Sequence, residues 1–295
     1  MSELPPYDLL LVQARAAAAA EVRAADASPR RLPDLRVRNT AIIAGGATLL
    51  GGYAATSWWK DGFTRDFRVV REGGFGADTE FSGIDKLGHV YFAYLATRLL
   101  SPLFEWVGNE PGDARKIAAL TSWGAMSAME IGDGFSRKYS FSPEDFAANT
   151  IGALLGYGLL SHPRWDDLID LRLAYRPSPL SRWDPPGDYA GQRFHLVFKA
   201  EGVPAWRDAP VLRYLEVGVA YGAPGVDTPD EWSLHDFAQR RREVFLGVGL
   251  NLSRLLSDFG YGGARSSTRT QRVAEQVFEL VHLPNGYYRG WNIDR

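Results

Sequence analysis

Three polar clusters interrupt the apolar runs in the first half of the chain, and their positions limit how those runs can pack. The cluster at residues 85–89 opens one apolar run, the cluster at 130–136 closes a second, and the cluster at 142–149 opens a third. If the three runs are consecutive antiparallel helices, all three clusters lie at the same end of the bundle. Charged groups in apolar surroundings must be paired, bound to a metal or neutralised. The sequence therefore predicts a polar site at that end.

The composition excludes several classes of protein. The 33 basic and 35 acidic residues leave a formal net charge of −2, so a nucleic-acid partner is not expected. The 295-residue chain contains no cysteine, which excludes disulfides, thiolate metal ligands, thiol nucleophiles and the lipid-modified cysteine of a lipoprotein. The sequence also has no glycine-rich phosphate loop, zinc-protease helix or nucleophile elbow.

An uncharged run from Thr40 to Trp59 follows a group of arginines. At about 20 residues, it has the length that a helix needs to cross ~30 Å of hydrocarbon, and we expect an uncleaved membrane anchor there. A cleaved signal sequence and a buried helix of a soluble domain are the alternatives. The arginines before the run predict a cytoplasmic N-terminus, which favours the inner membrane of a bacterial cell envelope.

The character of the chain changes after the apolar runs, and this change predicts its organisation. We expect a mainly α fold: a membrane-associated antiparallel four-helix bundle, then a small antiparallel β segment and a C-terminal helix. Residues 1–38 are expected to form a mobile N-terminal helix and linker. A membrane-embedded helical bundle is expected at 39–162, and a C-terminal segment with three or four strands and a terminal helix at 163–295.

Apolar residues alternate with other residues in three stretches of the C-terminal half, which is typical of β-strands. These stretches are Phe194–Ala200, Arg213–Tyr221 and Glu243–Leu252. An amphipathic pattern from Gln271 to His282 predicts a helix close to the C-terminus.

The spacing within the polar clusters places pairs of ligand-type side chains on shared helix faces. Asp85 and His89 stand four residues apart, and Glu130 and Asp133 stand three apart, so each pair faces one way. Imidazole and carboxylate groups are suitable ligands for Zn²⁺ or Mn²⁺, and the same pair can serve as an oriented general base. The candidate metal ligands are Asp85, His89, Glu130, Asp133 and Asp145; the candidate catalytic groups are His89, Asp85 and Glu130; and the candidate binding residues are Lys86, Ser136 and Asn149.

Each of these residues also has a structural interpretation. Lys86 can form a buried salt bridge with Asp85 or Glu130 that fixes the helix register. Asp145, at a helix start, is favourable to the helix dipole without any ligand. A hydrogen-bonded structural role for His89 and a helix-bridging role for Asn149 are equally compatible with the sequence.

The same residues form linked motifs that resemble those of a known group. The motifs are Asp85-Lys86-x-Gly88-His89, Glu130-x-x-Asp133-Gly134-Phe135-Ser136 and Ser142-x-x-Asp145-x-x-Ala148-Asn149-x-x-Gly152. They resemble the YfiM-like family of predicted periplasmic lipoproteins, a bacterial envelope domain of unknown function. They are more weakly similar to the VanZ-like membrane proteins, which carry comparable Asp-Lys-x-x-His and Asp-x-x-Asn patterns. The resemblance implies an envelope location and brings no catalytic residues, because the family's activity is unknown.

Two functions from different classes fit these observations. In the first, the chain is an envelope membrane protein whose carboxylate and histidine pocket binds or acts on a lipid or lipid-linked head group. A divalent metal ion would then be the cofactor, and His89 would move protons. In the second, the chain is a non-catalytic envelope scaffold or assembly factor, and the polar cluster is a structural lock. Membrane lipid and other envelope proteins are the expected partners, and whether the chain is an enzyme stays open.

Overall fold

The computed structural model describes residues 33–79, 81–179, 184–226, 240–266 and 268–294. The chain divides into two units, Met1–Ala41 and Ile42–Arg295. Most of the N-terminal segment expected at 1–38 lies outside the described residues, and the described part of the first unit contains the start of helix α1, Leu35–Thr56.

Three consecutive antiparallel helices form the bundle, namely α2 (Ile84–Trp106), α3 (Pro111–Phe135) and α4 (Pro143–Ser161). Helix α4 begins where the sequence predicts, because the Ser142 side chain accepts a hydrogen bond from the backbone N–H of Asp145 at 3.2 Å and Pro143 takes the first helical position.

Glycines let α2 and α4 approach closely. A Cβ atom on Gly152 would lie 2.1 Å from the Val90 carbonyl oxygen, and one on Gly156 would lie 2.9 Å from the Cβ of Thr97. Both distances are shorter than van der Waals contact, so only a residue without a side chain fits at this helix crossing.

The second half of the chain forms a five-stranded antiparallel sheet in the order β1-β2-β3-β4-β5. The first three strands are β1 (Ile169–Tyr175), β2 (Gln192–Lys199) and β3 (Leu215–Gly222), and the last two are β4 (Glu243–Leu250) and β5 (Gly286–Asn292). The single-turn helix α5 (Pro163–Asp166) lies between α4 and β1. The single-turn helix α6 (Leu252–Leu255) and the amphipathic helix α7 (Arg269–Leu280) lie between β4 and β5.

One face of the sheet carries buried charges. Arg172 on β1 pairs with Asp170 at 2.6 Å and with Glu216 on β3 at 2.9 Å, and Lys199 on β2 pairs with Asp170 at 2.7 Å. The opposite face carries aliphatic and aromatic side chains in register, each at least 39% exposed: Leu196, Phe198, Leu215, Val217, Val219, Leu246, Val248 and Leu250. The alternation of apolar and polar residues in these strands therefore corresponds to a sheet whose charged face is buried.

A shared apolar core joins the bundle to one end of the sheet. Tyr91 and Tyr94 of α2 pack with Leu171 of β1 and Phe194 of β2. The Tyr91 hydroxyl also donates a hydrogen bond to the carbonyl of Leu280, the last residue of α7, at 2.9 Å. The helices that carry the polar clusters are thus fixed against the sheet.

The expected membrane-associated four-helix bundle is wrong. Among the described residues, no helix has both the length and the apolar character required to cross a bilayer. The run at Thr40–Trp59 lacks charge, but it contains as many glycines as large aliphatic residues, four of each. Helices α2 and α3 contain buried charged residues such as Arg98 and Glu130. The tightly packed bundle has three helices, and residues 42–56 of α1 add Ile42 to a small separate core with Phe104, Ala114 and Ala118.

The β segment is also larger than expected. The three predicted stretches correspond to β2, β3 and β4, whereas β1 and β5 were not predicted. Strand β1 alternates Ile169, Leu171 and Leu173 with Asp170 and Arg172, so its sequence has the periodicity of a strand and our prediction overlooked it. Because β5 follows α7, the helix near the C-terminus is not the last element.

Candidate functional site

Helix α2 begins, helix α3 ends and helix α4 begins at the same end of the bundle, where Lys86 contacts three carboxylates. Its ammonium nitrogen lies 2.6 Å from Oδ2 of Asp85 and 2.8 Å from Oδ1 of Asp145. It also donates a hydrogen bond to Glu72, which lies in the loop between α1 and α2. Two of these contacts are hydrogen bonds, to Glu72 and Asp85, and the contact with Asp145 is an ion pair.

The orientation of His89 is set by Asn149 on the neighbouring helix. His89 Nδ1 lies 3.0 Å from the Asn149 side-chain oxygen, and the Asn149 amide nitrogen donates to the Met126 carbonyl at 3.4 Å. That second bond directs the amide oxygen towards His89. Because an amide oxygen only accepts hydrogen bonds, Nδ1 must carry the proton. In the neutral form of the ring, the lone pair is therefore on Nε2.

The Nε2 atom of His89 faces two carboxyl groups. It lies 3.8 Å from Oδ2 of Asp145, and ligand-type atoms of His89, Glu130 and Asp145 all lie within 4.8 Å of one another. The other contact of Glu130 is with the backbone, since its Oε1 accepts a hydrogen bond from the Ser142 N–H at 2.5 Å. One nitrogen and two carboxylate oxygens in this arrangement fit a divalent cation such as Zn²⁺ or Mn²⁺.

A second group of possible ligands shares Asp145 with the first. Carboxylate oxygens of Glu72, Asp85 and Asp145 also lie within 4.8 Å of one another, and Lys86 contacts all three of these side chains. Asp145 therefore belongs to two sets of possible ligands. One set contains His89, and the other consists of carboxylates around the Lys86 ammonium.

Burial changes the protonation of this cluster. It raises the pKa of Glu130 to about 8, and burial together with the negative charge of Asp145 raises the pKa of Glu72 to about 8. Burial opposes ionisation of Asp145 as well, but the positive charges of His89, when its ring is protonated, and of Lys86 hold the pKa of that carboxyl below its usual range. Asp145 is therefore the permanent anion, while Glu72 and Glu130 carry protons near neutral pH unless a further cation compensates them.

Two of the candidate residues, Asp133 and Ser136, also make contacts outside this cluster. Asp133 accepts a hydrogen bond from the Trp59 indole N–H at 2.7 Å, and burial raises its pKa to about 6. The Ser136 hydroxyl accepts from the backbone N–H groups of Lys138 and Tyr139 at 3.1 and 3.2 Å, so it stabilises a turn. The structure brings Asp85, Lys86, His89, Glu130, Asp145 and Asn149 together, and their roles in binding or catalysis stay a prediction.

Sequence reasoning missed Glu72. It lies in a glycine-rich stretch, Arg71-Glu72-Gly73-Gly74, without the helical periodicity that fixed the direction of the other acids. The loop is held over the end of the bundle by backbone hydrogen bonds, from Arg68 N–H to the Gly134 carbonyl and from Val70 N–H to the Phe141 carbonyl. The only signal in the sequence was an acid close to the first polar cluster.

Comparison with known proteins matches the helical bundle and its polar site. A family described as "Predicted periplasmic lipoprotein (DUF2279)" matches residues 71–161, a range that begins just before Glu72 and ends with α4. Comparisons with curated proteins and with solved structures gave no match. Over this part of the chain the protein is similar to an envelope family whose function is unknown.

The match agrees with the broader part of the resemblance inferred from the motifs. It supports a periplasmic lipoprotein-like family and a location in the cell envelope. It does not single out the YfiM-like group, and it gives no support to the similarity with VanZ-like proteins. The expected transmembrane character is contradicted, because no helix among the described residues is long and apolar enough to span a membrane. Location at the inner membrane stays a prediction.

Proposed function

We propose that this chain is an envelope protein that binds one divalent cation at His89, Glu130 and Asp145, and through it an anionic lipid-linked head group. The observation that carries the proposal is the hydrogen bond from His89 Nδ1 to Asn149, which leaves Nε2 facing Asp145 at 3.8 Å. Metal-bound histidines usually donate their other N–H to a fixed acceptor in this way.

The balance of charge favours a cation. Lys86 brings one positive charge to Glu72, Asp85 and Asp145, and Glu130 adds a further carboxyl group 2% exposed to solvent. Buried carboxyl groups that lack a cation must bind protons instead, as the raised pKa of Glu130 indicates. A divalent ion would replace that proton and keep a coordination position for a phosphate or carboxylate oxygen.

Apolar side chains beside the site favour a ligand that also has a hydrocarbon part. The loop that supplies Glu72 exposes Phe67, Val69, Val70 and Phe75, each at least 40% accessible to solvent. Phe67 also packs against Phe135 at the end of α3, with ring centroids 5.0 Å apart. A charged site next to exposed apolar residues is suited to an amphiphile, with the head group at the metal and the first methylenes on the loop.

Metal binding is the first test. Equilibrium dialysis of purified protein against Mn²⁺ or Zn²⁺, followed by elemental analysis, should give one ion per chain and a higher melting temperature. His89→Ala should abolish both effects, whereas His162→Ala, at an exposed histidine beyond α4, should leave them unchanged. The proposal would be contradicted if the wild-type protein bound no metal at Zn²⁺ concentrations that saturate ordinary Zn²⁺ sites.

Ligand binding is the second test. Calorimetry with dioctanoyl phosphatidic acid should show binding that requires the metal and is lost in His89→Ala. Inorganic phosphate should bind more weakly if the exposed loop residues contribute, and dioctanoyl phosphatidylcholine, which has no net charge, should bind least. Equal affinity for phosphate and for the lipid would identify a free-anion site instead.

A specific contact favours the alternative, in which the cluster is a structural lock in a non-catalytic scaffold. Lys86 links Glu72 in the loop to α2 and α4, as a lock would. In that case His89→Ala and Lys86→Ala should both lower the melting temperature of metal-free protein, and neither the metal nor the lipid should bind.

A further inference from the structure

Asp145 directs its two carboxylate oxygens towards two different partners. Its Oδ1 lies 2.8 Å from the Lys86 ammonium, and its Oδ2 lies 3.8 Å from His89 Nε2. A carboxylate that gives one oxygen to each of two neighbouring cation positions is the usual bridge of two-metal sites, whose ions stand ~3.5–4 Å apart. The geometry here is that of a bridge with one position occupied by an ammonium.

The ammonium takes the place that the second cation would require. It contacts Glu72, Asp85 and Asp145, and oxygens of these same three residues are close enough to one another to hold a metal ion. Its side chain is 9% exposed, and it donates hydrogen bonds to Glu72 and Asp85 while forming an ion pair with Asp145. Lys86 is therefore fully engaged and is not available to a ligand.

We propose that Lys86 is a built-in cation that fills one half of a two-metal carboxylate site and thereby restricts the chain to a single divalent ion. The inference rests on the proposed function, because it assumes that the half containing His89 binds metal. A divalent ion placed among Glu72, Asp85 and Asp145 would have to displace the ammonium. As long as Lys86 stays there, like-charge repulsion and the loss of its three carboxylate partners exclude the second ion.

Removing the ammonium should therefore create a metal position. In Lys86→Ala, Glu72, Asp85 and Asp145 lose their common cation while keeping their positions on the loop, α2 and α4. We expect dialysis against Mn²⁺ and elemental analysis to give one ion per chain for the wild type and two for the variant. Electron paramagnetic resonance should show the exchange coupling of two Mn²⁺ ions that share a carboxylate in the variant alone.

Matched variants separate this effect from general changes in charge and stability. Lys116→Ala removes an exposed lysine that pairs with Asp113 at 3.4 Å, and it should keep one ion per chain. Lys86→Arg retains a cation and should also keep one. Lys86→Gln is neutral but keeps hydrogen-bond donors, so it serves as the second test should Lys86→Ala fail to fold. The double change Lys86→Ala with Glu72→Ala should return the count to one.

The outcomes distinguish the two proposals. One ion in the wild type and two in Lys86→Ala or Lys86→Gln support the inference. One ion in the wild type and in both neutral variants overturns the inference and leaves the proposed function standing. Two ions in the wild type also overturn it, because Lys86 then excludes nothing. No ion in the wild type overturns the proposed function and the inference together.

Discussion

His89 and Asn149 stand on adjacent helices and are joined by a hydrogen bond of 3.0 Å between Nδ1 and Oδ1. This contact fixes both the direction of the imidazole ring and the nitrogen that carries its proton. Asn149 is fully buried, so water does not compete for the bond. In the proposed metal site, Asn149 would therefore orient a ligand without touching the metal.

Changing Asn149 should weaken metal binding without removing a ligand. Loss of a partner that orients a metal-bound histidine typically lowers affinity by about 10–100-fold, and we expect this for Asn149→Ala in a Mn²⁺ titration. The control is Thr150→Val on the same helix, whose hydroxyl contacts Trp123 and not His89. Equal affinities for the two variants would show that Asn149 has no orienting role.

Acidification should destabilise the protein through two stacked histidines. The rings of His195 and His282 lie 3.6 Å apart. Burial, with the positive charges of Arg172 and Arg193, lowers the pKa of His195 to about 2 and that of His282 to about 4. Unfolding restores a pKa of about 6.5, so the unfolded chain binds more protons. The stability from the neutral rings is complete above pH 6.5 and is lost as the pH falls towards 4.

This pH effect can be isolated with a ring that does not titrate. His282→Phe keeps the stacking, and its free energy of unfolding should vary less than that of the wild type between pH 6.5 and 4. His162→Phe, at an exposed position, should follow the wild-type curve. A His282→Phe curve parallel to the wild type over this interval would refute the assignment.

Breaking the buried ion network of the sheet should be costly. Arg172 pairs with Asp170 and Glu216, and all three side chains are at most 2% exposed. Arg172→Met leaves Glu216 without its cation, and loss of one partner in such a pair costs about 3–5 kcal/mol. Arg289→Met makes the same change at an exposed position on β5 and should stay within about 0.5 kcal/mol of the wild type. Urea denaturation measures both, and similar costs would contradict the prediction.

Two glycines of α4 should respond to alanine with opposite signs. Gly152→Ala introduces a Cβ atom 2.1 Å from the Val90 carbonyl oxygen, and we expect a loss of about 1–3 kcal/mol as α2 and α4 move apart. Gly158 has no atom within 4 Å of the corresponding position, so Gly158→Ala should stabilise the helix by about 0.5–1 kcal/mol. Thermal unfolding of the two variants gives the comparison directly, and a loss in both would point to an effect of helix α4 as a whole.

Local features of the sequence were sufficient to locate the main helices and the inner strands. Ser142 and Pro143 mark the start of α4 because a cap and a first-turn proline act within a few residues. Alternating apolar residues located β2, β3 and β4 for a similar reason. The convergence of Asp85, His89, Glu130 and Asp145 also follows from sequence, since short connections force consecutive helices to run antiparallel.

Tertiary packing decided what no local pattern records. Glu72 reaches the site because backbone hydrogen bonds hold its loop over the bundle, and Asp133 accepts a hydrogen bond from Trp59, a residue far from it in the chain. Packing also decided that the charged face of the sheet is the inner one and that the uncharged helix α1 does not have the character of a membrane span. Capping and periodicity act over one or two turns, so the sequence alone located the start of α4 and the strands β2, β3 and β4. The neighbours of a side chain, its protonation and the cation beside it depend on residues far apart in the chain, and only the tertiary structure determined them.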